Sequence, residues 1–67
     1  MSLQTISAAD REAAMYAHLD QAMTAEQTYW EVHATGDYRR ANMHSAIARE
    51  NYAAAYAIDR SLRTQQH

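Results

Sequence analysis

The sequence predicts an all-α protein, a two-helix antiparallel hairpin, and three observations predict it. The chain of 67 residues contains no Pro, so nothing in it forces a helix to break. Its single Gly, Gly36, lies near the middle and is followed at once by Asp37, the order of a helix stop and then a helix start. Ala is the commonest residue, with 15 copies, and Met, Gln, Glu and Arg supply much of the rest, all of them good helix formers. Residues 7–65 therefore read as one helical hairpin behind a short N-terminal extension, 1–6.

Helix 1 is expected over about 7–34. Ser7 is its N-cap candidate, with Asp10 three residues on as the acidic partner of a capping box. Asp10 and Glu12 also lie where the helix dipole favours negative charge. The helical pattern then runs without a breaker to Ala34. The turn is expected at 35–37, with Gly36 as the left-handed C-cap and Asp37 as the N-cap of helix 2. His33 suits the negative end of the first dipole when protonated, and Arg60 and Arg63 suit that of the second. Helix 2 is expected over about 38–64. Each arm of about 27 residues would extend roughly 40 Å at 1.5 Å per residue.

Composition narrows the function classes. There is no Cys, which excludes disulfides and thiolate zinc sites and is compatible with the cytoplasmic location expected here. No apolar run approaches the roughly 20 residues of a membrane span, and "MSLQTISAAD" has neither the basic nor the apolar region of a secretory signal. Leu, Ile and Val together number seven and Phe is absent, so the hairpin should need a staple; with disulfides excluded, oligomerisation or a metal is left, and oligomerisation is the one expected. The charge is divided. Residues 1–36 set Arg11 against Asp10, Glu12, Asp20, Glu26 and Glu31, a net of −4, whereas residues 37–67 set five Arg against Asp37, Glu50 and Asp59, a net of +2. An acidic and a basic half suggest two elements that attract each other side by side.

Helical spacing assigns the faces. In helix 1, Ala8, Met15, Leu19, Ala22, Met23, Glu26, Trp30 and His33 share one side. In helix 2, Met43, His44, Ile47, Asn51, Ala54, Ile58 and Leu62 share one side. Folding at Gly36 is expected to join these as the hairpin seam, with Trp30 near Met43, Glu26 near Ile47, Met23 near Asn51 and Leu19 near Ala54. A second stripe of helix 2, comprising Tyr38, Asn42, Ser45, Arg49, Tyr52, Tyr56, Asp59 and Arg63, is spaced 4, 3, 4, 3, 4, 3, 4, a heptad series. It is expected on the far side, flanked by Ala41, Ala48 and Ala55. A hairpin can cover one side of each helix only, so this stripe implies another surface: a second copy of the chain or another helical protein.

Little in the sequence signals chemistry. There is no catalytic nucleophile arrangement, no phosphate-binding Gly-rich loop, no Glu-x-x-His and no H-E-x-x-H, so neither an enzyme nor a cofactor is expected. Glu26, His33 and His44 are the weak metal candidates, and a metal-binding helical bundle is the second alternative. The candidate partner-binding residues are Tyr38, Ser45, Arg49, Tyr52, Tyr56, Arg60 and Arg63, because Tyr and Arg are enriched among interface hot spots. The same mixture suits phosphate contact and base stacking. Against nucleic acid, the net charge is −2, far from the usual basic footprint.

The segment "GDYRRA" resembles the turn that opens the second helix of a tetratricopeptide-type hairpin, over six residues. The arms here are about twice as long as in such a repeat. A helical hairpin of this length is also similar to the copy-number regulator Rop and to the WXG-type secreted hairpins, although Trp30 stands six residues before Gly36 and no W-x-G is present. None of these likenesses assigns the chain to a family. The likeness to Rop implies the first alternative, a dimeric nucleic-acid-binding regulator. The expectation adopted is a non-enzymatic protein–protein interaction module (a small adaptor, chaperone-like subunit or inhibitor). It would act through the Tyr/Arg stripe and assemble into a four-helix bundle, as a homodimer or with a partner's helices.

Overall fold

The computed structural model describes residues 7–64; the expected extension over 1–6 lies outside the described residues. Two helices, α1 (Ala8–Ala34) and α2 (Tyr38–Thr64), pack against each other, and no strand occurs among the described residues. Capping residues set the boundaries. Ser7 is extended (φ −69°, ψ 160°) and its Oγ accepts from the Asp10 amide at 3.1 Å, satisfying one of the free donors at the helix start. At the other end of α1 the Thr35 amide donates to the Val32 carbonyl and the Gly36 amide to the His33 carbonyl, each at 3.0 Å. Gly36 has φ +86°, the left-handed conformation that a side chain resists. Asp37 then opens α2, its Oδ1 accepting from the Arg40 amide at 3.1 Å.

The seam between the helices is made of alanine. Every buried residue among those described is an Ala: Ala22 and Ala25 in α1, and Ala41, Ala48 and Ala55 in α2. The three in α2 recur every seventh residue, the repeat that keeps one line of a helix against a neighbour. A side chain ending at Cβ lets two helices approach closely, since interaxial distance is set by the residues at the contact.

This corrects the expected seam. Met23, Trp30, Met43 and Ile47 were expected inside it, yet they are 55%, 61%, 60% and 42% exposed. Glu26 meets Tyr52, whose hydroxyl donates to its Oε1 at 3.4 Å, instead of lying against Ile47. Ala41, Ala48 and Ala55, expected as a flank, are the contact itself. Each helix is rotated about its axis from the expected setting, because Ala packs closer than Met or Trp allows.

Polar contacts hold the alanine seam in register. The Arg11 guanidinium donates to Ser61 Oγ at 3.0 Å. His18 Nδ1 lies 2.9 Å from Asn51 Oδ1, while the Asn51 amide donates to the Ile47 carbonyl at 2.9 Å. The Asn51 amide is thereby oriented with its oxygen toward His18, so His18 Nδ1 carries the proton. An all-Ala line is nearly uniform along its length; paired polar groups at fixed heights make it less so.

The charge halves do not pair across the hairpin. The one ion pair among the described residues is Asp59–Arg63, at 3.0 Å within α2. The expected side-by-side attraction of an acidic and a basic helix is therefore not expressed as contacts between α1 and α2.

Candidate interaction face

The rotation of the seam decides which side chains share a surface. With Ala22, Ala25, Ala48 and Ala55 between the helices, the hairpin is a flat plate with two broad sides. One side carries two grooves that meet at Tyr52. The lower groove, about 550 Å³, is lined by Met15 and Leu19 from α1 and by Tyr52, Ala53, Tyr56 and Asp59 from α2, with Ala55 at its floor. The upper groove, about 220 Å³, lies among Glu26, Tyr29 and Trp30 of α1 and Ser45, Ala48, Arg49 and Tyr52 of α2.

The α1 stripe read as buried seam and the α2 stripe read as facing away therefore lie on the same side. Met15, Leu19, Glu26 and Trp30 come from the first; Ser45, Arg49, Tyr52 and Tyr56 come from the second. Met23 follows Leu19 by one turn and joins them by helical spacing. The sequence does not announce this shared side, because large apolar residues such as those of α1 ordinarily mark a core.

Near the turn an aromatic cluster joins the two helices. Tyr29 and Trp30 pack edge to face with centroids 4.8 Å apart. His33 lies 5.5 Å from Tyr29 and 5.9 Å from Trp30, and it meets Tyr38 of α2 at 4.8 Å. Such pairs add to stability beyond the area they bury. Trp30 and Tyr38 nevertheless remain 61% and 58% exposed.

The expected site residues divide accordingly. Ser45, Arg49, Tyr52 and Tyr56 converge on the grooves. Tyr38 extends the face toward the turn through His33. Arg63 is held by Asp59 at the far end. Arg60 is exposed but lines neither groove. The weak metal candidates part company: Glu26 lies in the upper groove, His33 packs tilted and edge-on among aromatic rings, and His44 lines a third groove on the opposite side with Asp20, Thr24, Ile47 and Asn51. No three His, Asp or Glu side chains among the described residues converge on one point.

No protein-family model, curated protein or solved structure matches this chain. Among the described residues seven large apolar or aromatic side chains are exposed; Trp30 and Tyr56 line the grooves of this side, and helical spacing places Met23 and Tyr38 with them. Tyr52 is set among them as a fixed element. Its hydroxyl is raised above the usual phenol value by partial burial, then by the Glu26 charge beside it and by the hydrogen bond to that carboxylate, so it is a neutral donor at ordinary pH. No helix among the described residues is long and apolar enough to cross a membrane.

Proposed function

We propose that the hairpin is a non-enzymatic interaction module and that its Tyr52 side is a docking surface for other helices. The observation that carries this reading is an inversion of burial: among the described residues the buried ones are all Ala, while Met23, Trp30, Tyr38 and Tyr56 are more than half exposed. Large apolar groups grouped on one side of a protein mark a contact site. Tyr, Trp and Arg are also the residues that carry most interface energy. Arg49 and Tyr52 would suit nucleic acid as well, but the acidic α1 beside them would repel phosphate.

A photo-reactive amino acid placed at Tyr56 in cells tests the reading, with Met43 on the other side as the control. Strong cross-linking from Tyr56 and little from Met43 is expected. Equal yields from the two positions, or none, would sink it, and a cross-linked species digested by nuclease would move the function to nucleic acid.

A further inference from the structure

The docking reading leaves the occupant open. We infer that the occupant is a second copy of this chain, related by a two-fold axis parallel to the helices, so that α1 of each copy lies on α2 of the other. The inference rests on the docking reading above and adds the partner and its geometry.

The first support is surface area. The hairpin is a plate of 51 × 27 × 14 Å, one helix thick. Its radius of gyration is 15.5 Å, against about 11 Å for a compact chain of this length. It exposes 5469 Å². A compact monomer of 7.6 kDa exposes about 4,300 Å², leaving roughly 1,200 Å² per chain beyond a compact fold. Permanent homodimers bury roughly 1,000–2,500 Å² per partner, so a second plate on the Tyr52 side is an occupant of the right size.

The second support is charge. A two-fold interface must be complementary to itself. On the Tyr52 side α1 sets Glu26 and α2 sets Arg49 in the upper groove, whereas Asp20 of α1 lines the groove on the opposite side. Glu26 and Arg49 stand on opposite banks of the upper groove and form no ion pair with each other. An axis along the helices keeps every residue at its own height and exchanges the banks. Arg49 of the second copy then comes over Glu26 of the first, and the reverse pair follows by symmetry. The lower grooves, with Met15, Leu19 and Tyr56, face each other at one level and form the apolar centre. An axis across the helices would instead lay the upper groove on the lower one and set Glu26 and Arg49 against the largely apolar Met15, Leu19 and Tyr56, away from each other, which desolvates the charges without pairing them.

The two axes also differ in where the turns go. The parallel axis brings both turns to one end; the crossed axis separates them by the length of the plate. Because the chain has no Cys, a spin label at Ala34→Cys, an exposed position, reports that separation alone. The parallel dimer should give a distance under about 25 Å and the crossed dimer roughly 40 Å or more.

Charge exchange supplies the second readout. Glu26→Arg alone and Arg49→Glu alone should each weaken dimerisation by about tenfold, since two symmetric attractions become repulsions. Mixing the two variants should restore the dimer, because each then offers the charge the other lacks. The double variant Glu26→Arg/Arg49→Glu should dimerise by itself, and it shows that neither change prevents folding. A long label distance, or mixing that restores nothing, overturns the geometry. A folded monomer at every concentration in sedimentation overturns the second copy as occupant, and Tyr56 cross-linking to a different protein would then leave the docking reading intact. Absence of any Tyr56 cross-link removes both.

Discussion

The turn shows how single residues set this fold. Gly36 holds φ +86°, and a Cβ placed on it would meet nothing within 4 Å. A substitution there is therefore opposed by backbone strain alone. Gly36→Val should destabilise the hairpin by about 1–2 kcal/mol, and Gly36→Asn by less, since Asn enters the left-handed region more readily. Asp37→Ala removes the acceptor of the Arg40 amide and should cost about 0.5–2 kcal/mol. Chemical denaturation of the three variants checks both; a neutral Gly36→Val would show that the turn relaxes freely. Tyr52 gives a residue-scale prediction in pH. Its folded hydroxyl is raised by burial and by Glu26, so its contribution to stability is complete below the unfolded value and is lost as pH rises through the folded one. The thermal midpoint should fall on alkaline titration, and Tyr52→Phe should remove that part of the fall. Parallel curves for the two proteins would mean that the Tyr52–Glu26 contact contributes nothing.

At the scale of the helices, the alanine seam makes a prediction opposite to the usual one for large apolar residues. Ala22 and Ala41 are fully buried, so a larger side chain at either position has to displace its neighbours. Ala22→Leu or Ala41→Leu should cost about 1–3 kcal/mol by overpacking. Ile47→Ala, at a position 42% exposed, should cost clearly less than the 2–5 kcal/mol typical of a buried Ile, roughly 1 kcal/mol. The reverse ranking in melting experiments would restore Ile47 to the core. This contrast also explains what the sequence could and could not reveal. The caps at Ser7, Gly36 and Asp37 act through local hydrogen bonds, so the residues that make them are recognisable in a string of letters. The rotation of each arm is a tertiary choice. α2 has Ala on several sides, at Ala41, Ala48 and Ala55 and again at Ala46, Ala53 and Ala57, so periodicity alone offers more than one seam. Large residues usually mark the core, and that rule pointed to Met23, Trp30 and Ile47. The candidate site was half legible for the same reason: Ser45, Arg49, Tyr52 and Tyr56 were found as a stripe, but Met15, Leu19 and Trp30 were assigned to the interior. His18 was missed because its partner Asn51 lies 33 positions away and nothing local announces the pair.

For the whole molecule the question is whether one plate is a stable fold. The buried side chains among its described residues are five alanines. Alanine burial contributes little, about 25 cal/mol per Å² over a very small side chain, while ordering each residue opposes folding by roughly 1–2 kcal/mol. The polar bridges Arg11–Ser61 and His18–Asn51 select the register but add only about 0.5–1.5 kcal/mol each. The isolated hairpin should therefore be marginal, and the apolar area on its Tyr52 side should supply the missing stability once it is covered. Mass action makes this measurable, because a fold stabilised by association gains stability with protein concentration. Helical content at low concentration should be well below that of two complete 27-residue helices, and it should rise with the thermal midpoint as concentration is raised. Tyr56→Gln, on the exposed face, should abolish the concentration dependence and leave the protein in its weakly helical, low-concentration state. Met43→Gln, equally exposed but on the other side, should leave the dependence unchanged. A cooperative melt at one temperature across the whole concentration range would mean that the alanine seam and the polar bridges suffice, and that the exposed face contributes nothing to the fold.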